Sequence, residues 1–198
     1  GADVSFAERL NTVVKGYAAI LDGAVLKQHA LTNTLVAATP LIFTGLSMVL
    51  GFRSGLFNIG AEGQFMIGAV TSVFIAYAFE LPIVVHVVLS ILVGAAGGAV
   101  WGAIPGYLKA RLGAHEVINT IMMNFIAIQL ADWLVRGPMK DPSGPLTIRT
   151  PLIYASARLP RLGEWLPGVF GSSDQLHMGT VLAILAAVGT WWLLWKTI

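Results

Sequence analysis

A chain of 198 residues that is 56% hydrophobic and only 11% charged falls well below the roughly one-quarter charged share of soluble domains, so water is not its main solvent. Twelve Lys and Arg against ten Asp and Glu leave a net charge of +2, too small an excess for a nucleic-acid surface. Zero cysteines exclude disulfide frameworks, thiolate metal sites, Cys nucleophiles and iron–sulfur clusters.

A helix rises 1.5 Å per residue and the hydrocarbon layer is about 30 Å thick, so apolar runs of roughly 17 to 25 residues mark membrane spans. Residues 32–52, 83–108, 116–135 and 178–195 are such runs. Residues 64–79 form a shorter fifth, after a Gly-rich polar stretch at 53–63. None alternates in polarity over about ten residues, as barrel strands do. The fold class expected is all-α: a polytopic transmembrane helix bundle of about five spans with one broken polar segment.

Short cytoplasmic loops are enriched in Lys and Arg. Arg53, the Lys109 and Arg111 pair, and Lys196 follow the runs 32–52, 83–108 and 178–195, whereas Glu80-Leu-Pro82 carries no cation. The basic ends are therefore expected inside. Residues 1–31, an amphipathic lead-in, and the Pro-rich loop 136–177 are expected outside, with 32–198 as the membrane domain. An external lead-in needs a further span before Gly1 if the native N-terminus is inside. Gly1 is not Met and no signal peptide is visible, so the chain reads as cut or as a fragment. Trp191, Trp192 and Trp195 beside Lys196 fit an interfacial anchor.

In the third run Gly94, Gly98, Gly102 and Gly106 recur every four residues. Hydrophobicity cannot pair helices in lipid, and a stripe of small residues lets two backbones approach closely. Pro40 leaves the Val36 carbonyl without its usual donor, with Thr39, Thr44 and Ser47 as nearby compensating groups. Pro105 predicts a kink or tilt in the 83–108 run.

Two places put polarity where lipid opposes it. The stretch 53–63 and Gln64 carry Asn58, Glu62 and Gln64 among glycines. One reading is a cytoplasmic turn with Asn58 as N-cap and Glu62 in the first helical turn. The other is a broken helix bordering a transport path. The 116–135 run begins with Glu116, Asn119 and Thr120 on one face and Asn124 a turn later. That face should look inward, as a path or gate or as interhelical hydrogen-bond glue. Asp132 reads as interfacial, and Met122 and Met123 as packing. Phosphate-loop, H-E-x-x-H and G-x-S-x-G motifs are absent, and His29, His86, His115 and His177 lack ligand-like spacing. No catalysis, metal or cofactor is expected.

The strings Thr39-Pro-Leu-Ile-Phe-Thr-Gly-Leu46, Gly55-Leu-Phe-Asn-Ile-Gly-Ala-Glu-Gly-Gln64 and Glu116-Val-Ile-Asn-Thr-Ile-Met-Met-Asn-Phe-Ile-Ala127 closely resemble ABC importer permeases of the nucleoside and simple-sugar type, relatives of the ribose and branched-chain amino-acid permeases. The second string is the most specific. The likeness extends from about Leu31 through the Gly-rich run, Gly137-Pro-Met-Lys-Asp-Pro142 and His177-Met-Gly179. It implies a multi-pass plasma-membrane subunit working with a second permease subunit, a cytoplasmic ATP-binding subunit and an extracytoplasmic substrate-binding lipoprotein. It also implies a coupling segment beyond Ile198 and, in this chain, roughly the first half of a permease of about ten helices. His115 stands where the family tends to a small or polar residue, and Met123 where it tends to Leu, which leaves fine specificity open.

On this basis Asn58, Glu62, Gln64, Asn119 and Asn124 are the candidate path or gate residues for a nucleoside or a simple sugar. Two other classes stay open. An ion- or proton-coupled secondary transporter would use Glu62 and Glu116 as coupling carboxylates, and a structural membrane subunit would use its polar groups only to join helices.

Overall fold

The computed structural model describes residues 5–27, 29–143, 147–165 and 175–196. Gly1 and Ile198, named above, lie outside the described residues, as do residues 144–146 and 166–174 of the expected external loop. The protein is all-α and polytopic. Its helices are α1 (Phe6–Leu21), α2 (Ala30–Arg53), α3 (Ala61–Ala78), α4 (Ile83–Leu112), α5 (Glu116–Arg136), the single turn α6 (Leu162–Trp165) and α7 (Met178–Lys196). Among the described residues the only extended pairing is an isolated antiparallel bridge between Arg161 and His177.

By length and composition α2, α4, α5 and α7 can each cross a membrane. At 18 residues, α3 is about 27 Å long. It starts at Ala61, three positions before the apolar run, so Glu62 and Gln64 lie in its first turn and lower its apolarity. Pro40 and Pro105 sit inside continuous helical stretches.

The described chain divides into two compact units. The first holds residues 1–43 and 160–198. Within it the Thr39 and Thr180 hydroxyls bond at 2.9 Å and join α2 to α7, while Thr39 also donates to the Leu35 carbonyl at 2.9 Å. An interhelical hydrogen bond of this kind in lipid contributes about 0.6 kcal/mol on average and up to about 1.7. His177 precedes α7 and accepts from the Gly179 N–H through Nδ1 at 3.1 Å, filling the role of a side-chain N-cap. Trp191 and Trp195 stack at 6.2 Å near Lys196, both exposed.

The second unit, residues 44–159, is organised by the contact of α3 with α4. A Cβ on Gly68 would come 2.9 Å from the Gly94 carbonyl oxygen. One on Gly94 would come 2.9 Å from the Ser72 Cβ, and one on Gly98 would come 3.0 Å from the Gln64 carbonyl oxygen. Gly102 faces the Gln64 amide, and Gly97, off the four-residue register, faces Thr71. The expected stripe therefore packs at Gly94, Gly98 and Gly102, while Gly106 has open space around its Cα. Gly106 instead borders a cleft described below.

The other end of this unit is closed by loop residues. His86 of α4 is fully buried. Its Nε2 meets the Ile75 carbonyl at 3.2 Å and its Nδ1 meets the Ser156 hydroxyl at 2.8 Å. A carbonyl only accepts, so Nε2 carries a proton. The Tyr154 N–H donates to the Ala76 carbonyl at 3.0 Å. Beyond α5, buried Asp141 accepts from the Ser143 N–H at 2.9 Å, the Ser143 hydroxyl at 2.6 Å and Arg149 Nε at 3.1 Å. These donors, Ser143 first, hold its carboxyl below the usual carboxylate range.

Two outcomes follow from this packing. Gly68→Leu should cost about 1–3 kcal/mol or more by overfilling the α3/α4 contact, read as a lower unfolding temperature in detergent, whereas Gly106→Ala should be nearly neutral. Because the Asp141 pKa is depressed in the folded state, its stabilisation is present above the ordinary carboxylate pKa and is lost as pH falls through the lowered value. Hydrogen exchange of the Asp141 and Ser143 amides should thus stay slow on mild acidification and speed up only below the ordinary range, and Asp141→Asn should make them exchange fast at neutral pH.

Candidate functional site

The site is built where α2 ends and α3 begins. Gly55, at φ +72, takes the left-handed conformation that terminates helices. The Leu56 N–H returns to the Gly51 carbonyl at 2.9 Å and the Gly55 N–H to the Phe52 carbonyl at 3.1 Å, the paired bonds of a Schellman end. Phe52 and Phe57 pack edge to face at 4.8 Å across the turn. The chain therefore folds back along α2. A Cβ on Gly51 would come 3.1 Å from the Leu56 carbonyl oxygen and 3.2 Å from the Asn58 Cβ.

Asn58 is not the N-cap of α3; Gly60 holds that position. The Asn58 Oδ1 accepts from the Gly60 N–H at 3.1 Å, a local turn two residues long. The same carboxamide pairs reciprocally with Gln64: Asn58 Nδ2 donates to Gln64 Oε1 at 3.2 Å, and Gln64 Nε2 donates to Asn58 Oδ1 at 3.1 Å. Ser47 on α2 accepts from Asn58 Nδ2 at 3.0 Å and donates to Gln64 Oε1 at 3.2 Å. Ser47 thus serves this cluster rather than the defect at Pro40.

The missing cap comes from another helix. Asn124 of α5 accepts from the Gly63 N–H at 2.8 Å and donates to the Ile59 carbonyl at 3.0 Å. One carboxamide satisfies an orphan donor of the first turn of α3 and an acceptor of the irregular segment before it. The fit requires glycine, since a Cβ on Gly63 would lie 2.9 Å from Asn124 Oδ1 and 3.1 Å from its Cα. Gly60 is similarly close to Thr120, whose Cβ would be 3.2 Å from an added Cβ.

These contacts fix how deep the start of α3 lies. Asn124 is eight residues beyond the first residue of α5, and Gly102, beside Gln64, is ten residues before the last residue of α4. At 1.5 Å per residue Gly63 and Gln64 lie about 12–15 Å inward from those ends, and the N-cap Gly60, against Thr120 four residues into α5, lies about 6 Å inward. Irregular backbone survives at such depth only where protein or a watery cavity receives its polar groups. Both are present: the amides, and a cleft of about 120 Å³ lined by Asn58, Gln64, Gly102, Gly106, Glu116 and Thr120 among others. At about 30 Å³ per water it holds a few waters, and it is smaller than the 300–1,000 Å³ of ordinary ligand pockets.

Lys109 of α4 pairs with Glu116 of α5 across the turn at Gly113, whose φ of +63 ends α4. Trp101 Nε1 donates to the Met123 carbonyl at 3.3 Å and ties the same two helices together deeper in. The cleft thus opens at the end that carries Arg53, Lys109 and Arg111.

Of the residues singled out from sequence, the structure brings Asn58, Gln64 and Asn124 around one helix start. Glu62 is exposed beside them and joins none of these bonds. Asn119 stands apart, with a buried Nδ2 that has no hydrogen-bond partner among the described residues. Ser47, Gly60, Gly63 and Thr120 complete the site. The glycines were visible as a broken segment, but their partners 60 and more positions away were not.

Residues 30–198 match the family described as branched-chain amino acid transport system, permease component. The chain is 38% identical over 186 residues to the guanosine ABC transporter permease protein NupP of Bacillus subtilis, covering 94% of this chain and 51% of that protein. It is 36% identical over 190 residues to the glucose ABC transporter permease protein TsgB13 of Haloferax volcanii, covering 93% and 49%. It is also 33% identical over 176 residues to the nucleoside ABC transporter permease protein NupB of Lactococcus lactis subsp. cremoris, covering 87% and 48%. The chain spans about half the length of these curated relatives. No solved structure matches.

Replacing Asn124 tests the cap directly. Asn124→Leu orphans the Gly63 N–H and the Ile59 carbonyl, at about 1–3 kcal/mol for each buried group. Its unfolding temperature in detergent should fall further than that of Gln64→Leu, which leaves the backbone bonds in place; an equal effect would mean that Asn124 is not the cap.

Proposed function

The chain belongs to the family of branched-chain amino acid transport system permease components, and from that premise we propose that the whole protein imports a nucleoside, or alternatively a simple sugar, across the plasma membrane without altering it. In this reading it pairs with a second permease subunit. Cargo comes from an extracytoplasmic binding lipoprotein, and a cytoplasmic ATP-binding subunit drives the cycle. Nucleoside leads because relatives named for guanosine and for nucleosides stand beside one named for glucose.

The observation that carries the reading is the recessed, amide-sealed start of α3 at the basic end of its unit. With Arg53, Lys109 and Arg111 at the cytoplasmic face, the cluster of Asn58, Gln64 and Asn124 is an inner gate. Its closed form satisfies every carboxamide of the three with protein partners. Opening exchanges those bonds for water or cargo. Carboxamides both donate and accept without charge, which suits neutral cargo rich in hydroxyls or base edges. A site assembled from exchangeable bonds also stays weak enough to release what it binds. Asn119 Nδ2, buried and unpaired among the described residues, is the amide donor left for cargo or for a neighbouring helix. Glu62 belongs to the rim of this gate and favours the positive end of α3.

Coupling to protons or ions is less well supported. Glu116 is paired with Lys109 and Glu62 is exposed, so neither is the uncompensated buried carboxylate that such coupling uses.

Uptake of labelled guanosine and of labelled glucose, in membrane vesicles carrying the full permease with its ATP-binding subunit, tests the proposal. ATP-dependent uptake of one cargo should survive an uncoupler, and Gln64→Leu should slow it several-fold while leaving subunit assembly intact. Uptake that collapses with the uncoupler and persists without the ATP-binding subunit would overturn it.

A further inference from the structure

Every residue of α1 is exposed, yet the helix is strongly two-sided. At the α-helical period Phe6, Leu10, Val13, Tyr17 and Ile20 fall within an arc of about 80°, with Glu8, Asn11, Thr12 and Lys15 opposite. The start is set locally, because the Ser5 N–H donates to the Glu8 carboxylate at 2.9 Å, the return half of a capping box. Phe6 is 81% exposed and Tyr17 69%. The described part of the chain therefore leaves this apolar face uncovered. The family match begins at residue 30, so α1 lies outside it.

What covers the face follows from where its end is held. After α1 the chain widens into a π-helical turn over Asp22–Leu26, closed by the Lys27 N–H donating to the Asp22 carbonyl at 2.9 Å. A corner follows: the Ala30 N–H donates to the Lys27 carbonyl at 2.9 Å, and His29 adopts φ +64, so α1 does not run on into α2. Thr34, one turn into α2, donates from Oγ1 to the Ala24 carbonyl at 2.9 Å. The end of α1 is thus pinned beside the first turns of a span whose own Leu31 and Leu35 are exposed. Leu31 and Leu35 thus leave apolar surface at the start of α2, next to the turn that ends α1.

Charge opposes a crossing by α1: its 16 residues carry Glu8, Arg9 and Lys15, and Asp22 follows at its end. Free solution leaves five large apolar side chains in water. We infer that α1 lies flat in the headgroup layer of the leaflet where α2 begins, with Phe6, Leu10, Val13, Tyr17 and Ile20 against the acyl chains. Arg9 and Lys15 outnumber Glu8, which favours an anionic lipid surface. Through the bond from Thr34 to Ala24, the helix then sets the depth of the α2 start.

The test uses the assembled transporter in vesicles containing phosphatidylglycerol. The 198 residues contain no cysteine, so Leu10→Cys, Tyr17→Cys, Thr12→Cys and Lys15→Cys each offer one fluorophore site in this region, with any cysteine elsewhere in the assembly removed. Labels at positions 10 and 17 should lose several-fold more emission to a lipid nitroxide near the headgroup than labels at 12 and 15, which aqueous iodide should quench instead. Stronger quenching of 10 and 17 by a nitroxide at the acyl-chain end would show a crossing helix. Protection of both from lipid and iodide would show a protein partner, and iodide quenching at all four positions would show a helix free in water. Each of these three results overturns the inference.

Discussion

The first N–H groups of a helix have no partner within it, and a backbone donor left bare in hydrocarbon costs several kcal/mol. That constraint governs the second unit. Because the first turn of α3 is recessed, with Gly63 about 12 Å inward from the start of α5, it is capped from within the protein, by Asn124 of α5. The consequences spread through the packing. Gly63 has to be bare for Asn124 to reach, Gly60 for Thr120 to lie close, and Gly102 for the Gln64 amide to sit against α4.

Polar groups close both ends of α3, by different chemistry. At its start the closure is a set of neutral carboxamides and Ser47, bordered by a cleft and by the Lys109–Glu116 pair. At its far end His86 joins the Ile75 carbonyl to Ser156, and Tyr154 reaches Ala76 through the backbone. Between them α3 and α4 approach closely at Gly68, Gly94, Gly97 and Gly98, against Thr71 and Ser72. The close backbone approach thus lies between two polar closures.

Much of this was legible in the amino-acid order because the bilayer imposes long-range arithmetic on it. Span lengths, the four-residue glycine period and the polar break at 53–63 are all local quantities, and the structure has helices, close backbones and irregular chain at those places. Partnership was not local. Nothing near Gly63 identifies Asn124 as its acceptor, since the two are 61 positions apart and three amides on the 116–135 run could have served. Asn58 has the residue type of an N-cap but spends its oxygen on a shorter turn and on Gln64. Glu62, equally polar, is exposed, while Ala61 and Gly63 on either side of it are buried. The period alone also could not tell that Gly106, past the reach of α3, borders a cleft rather than a helix.

The contact between Gly63 and Asn124 constrains which mutational routes are open. With Asn124 in place, any side chain at 63 strikes the amide that holds the helix start; without Asn124, Gly63 keeps its flexibility and loses the reason for it. Neither position can drift first without a defect, so a viable alternative at this joint has to arrive as a double change, and introducing residues from a relative one at a time would understate how well its own pair works.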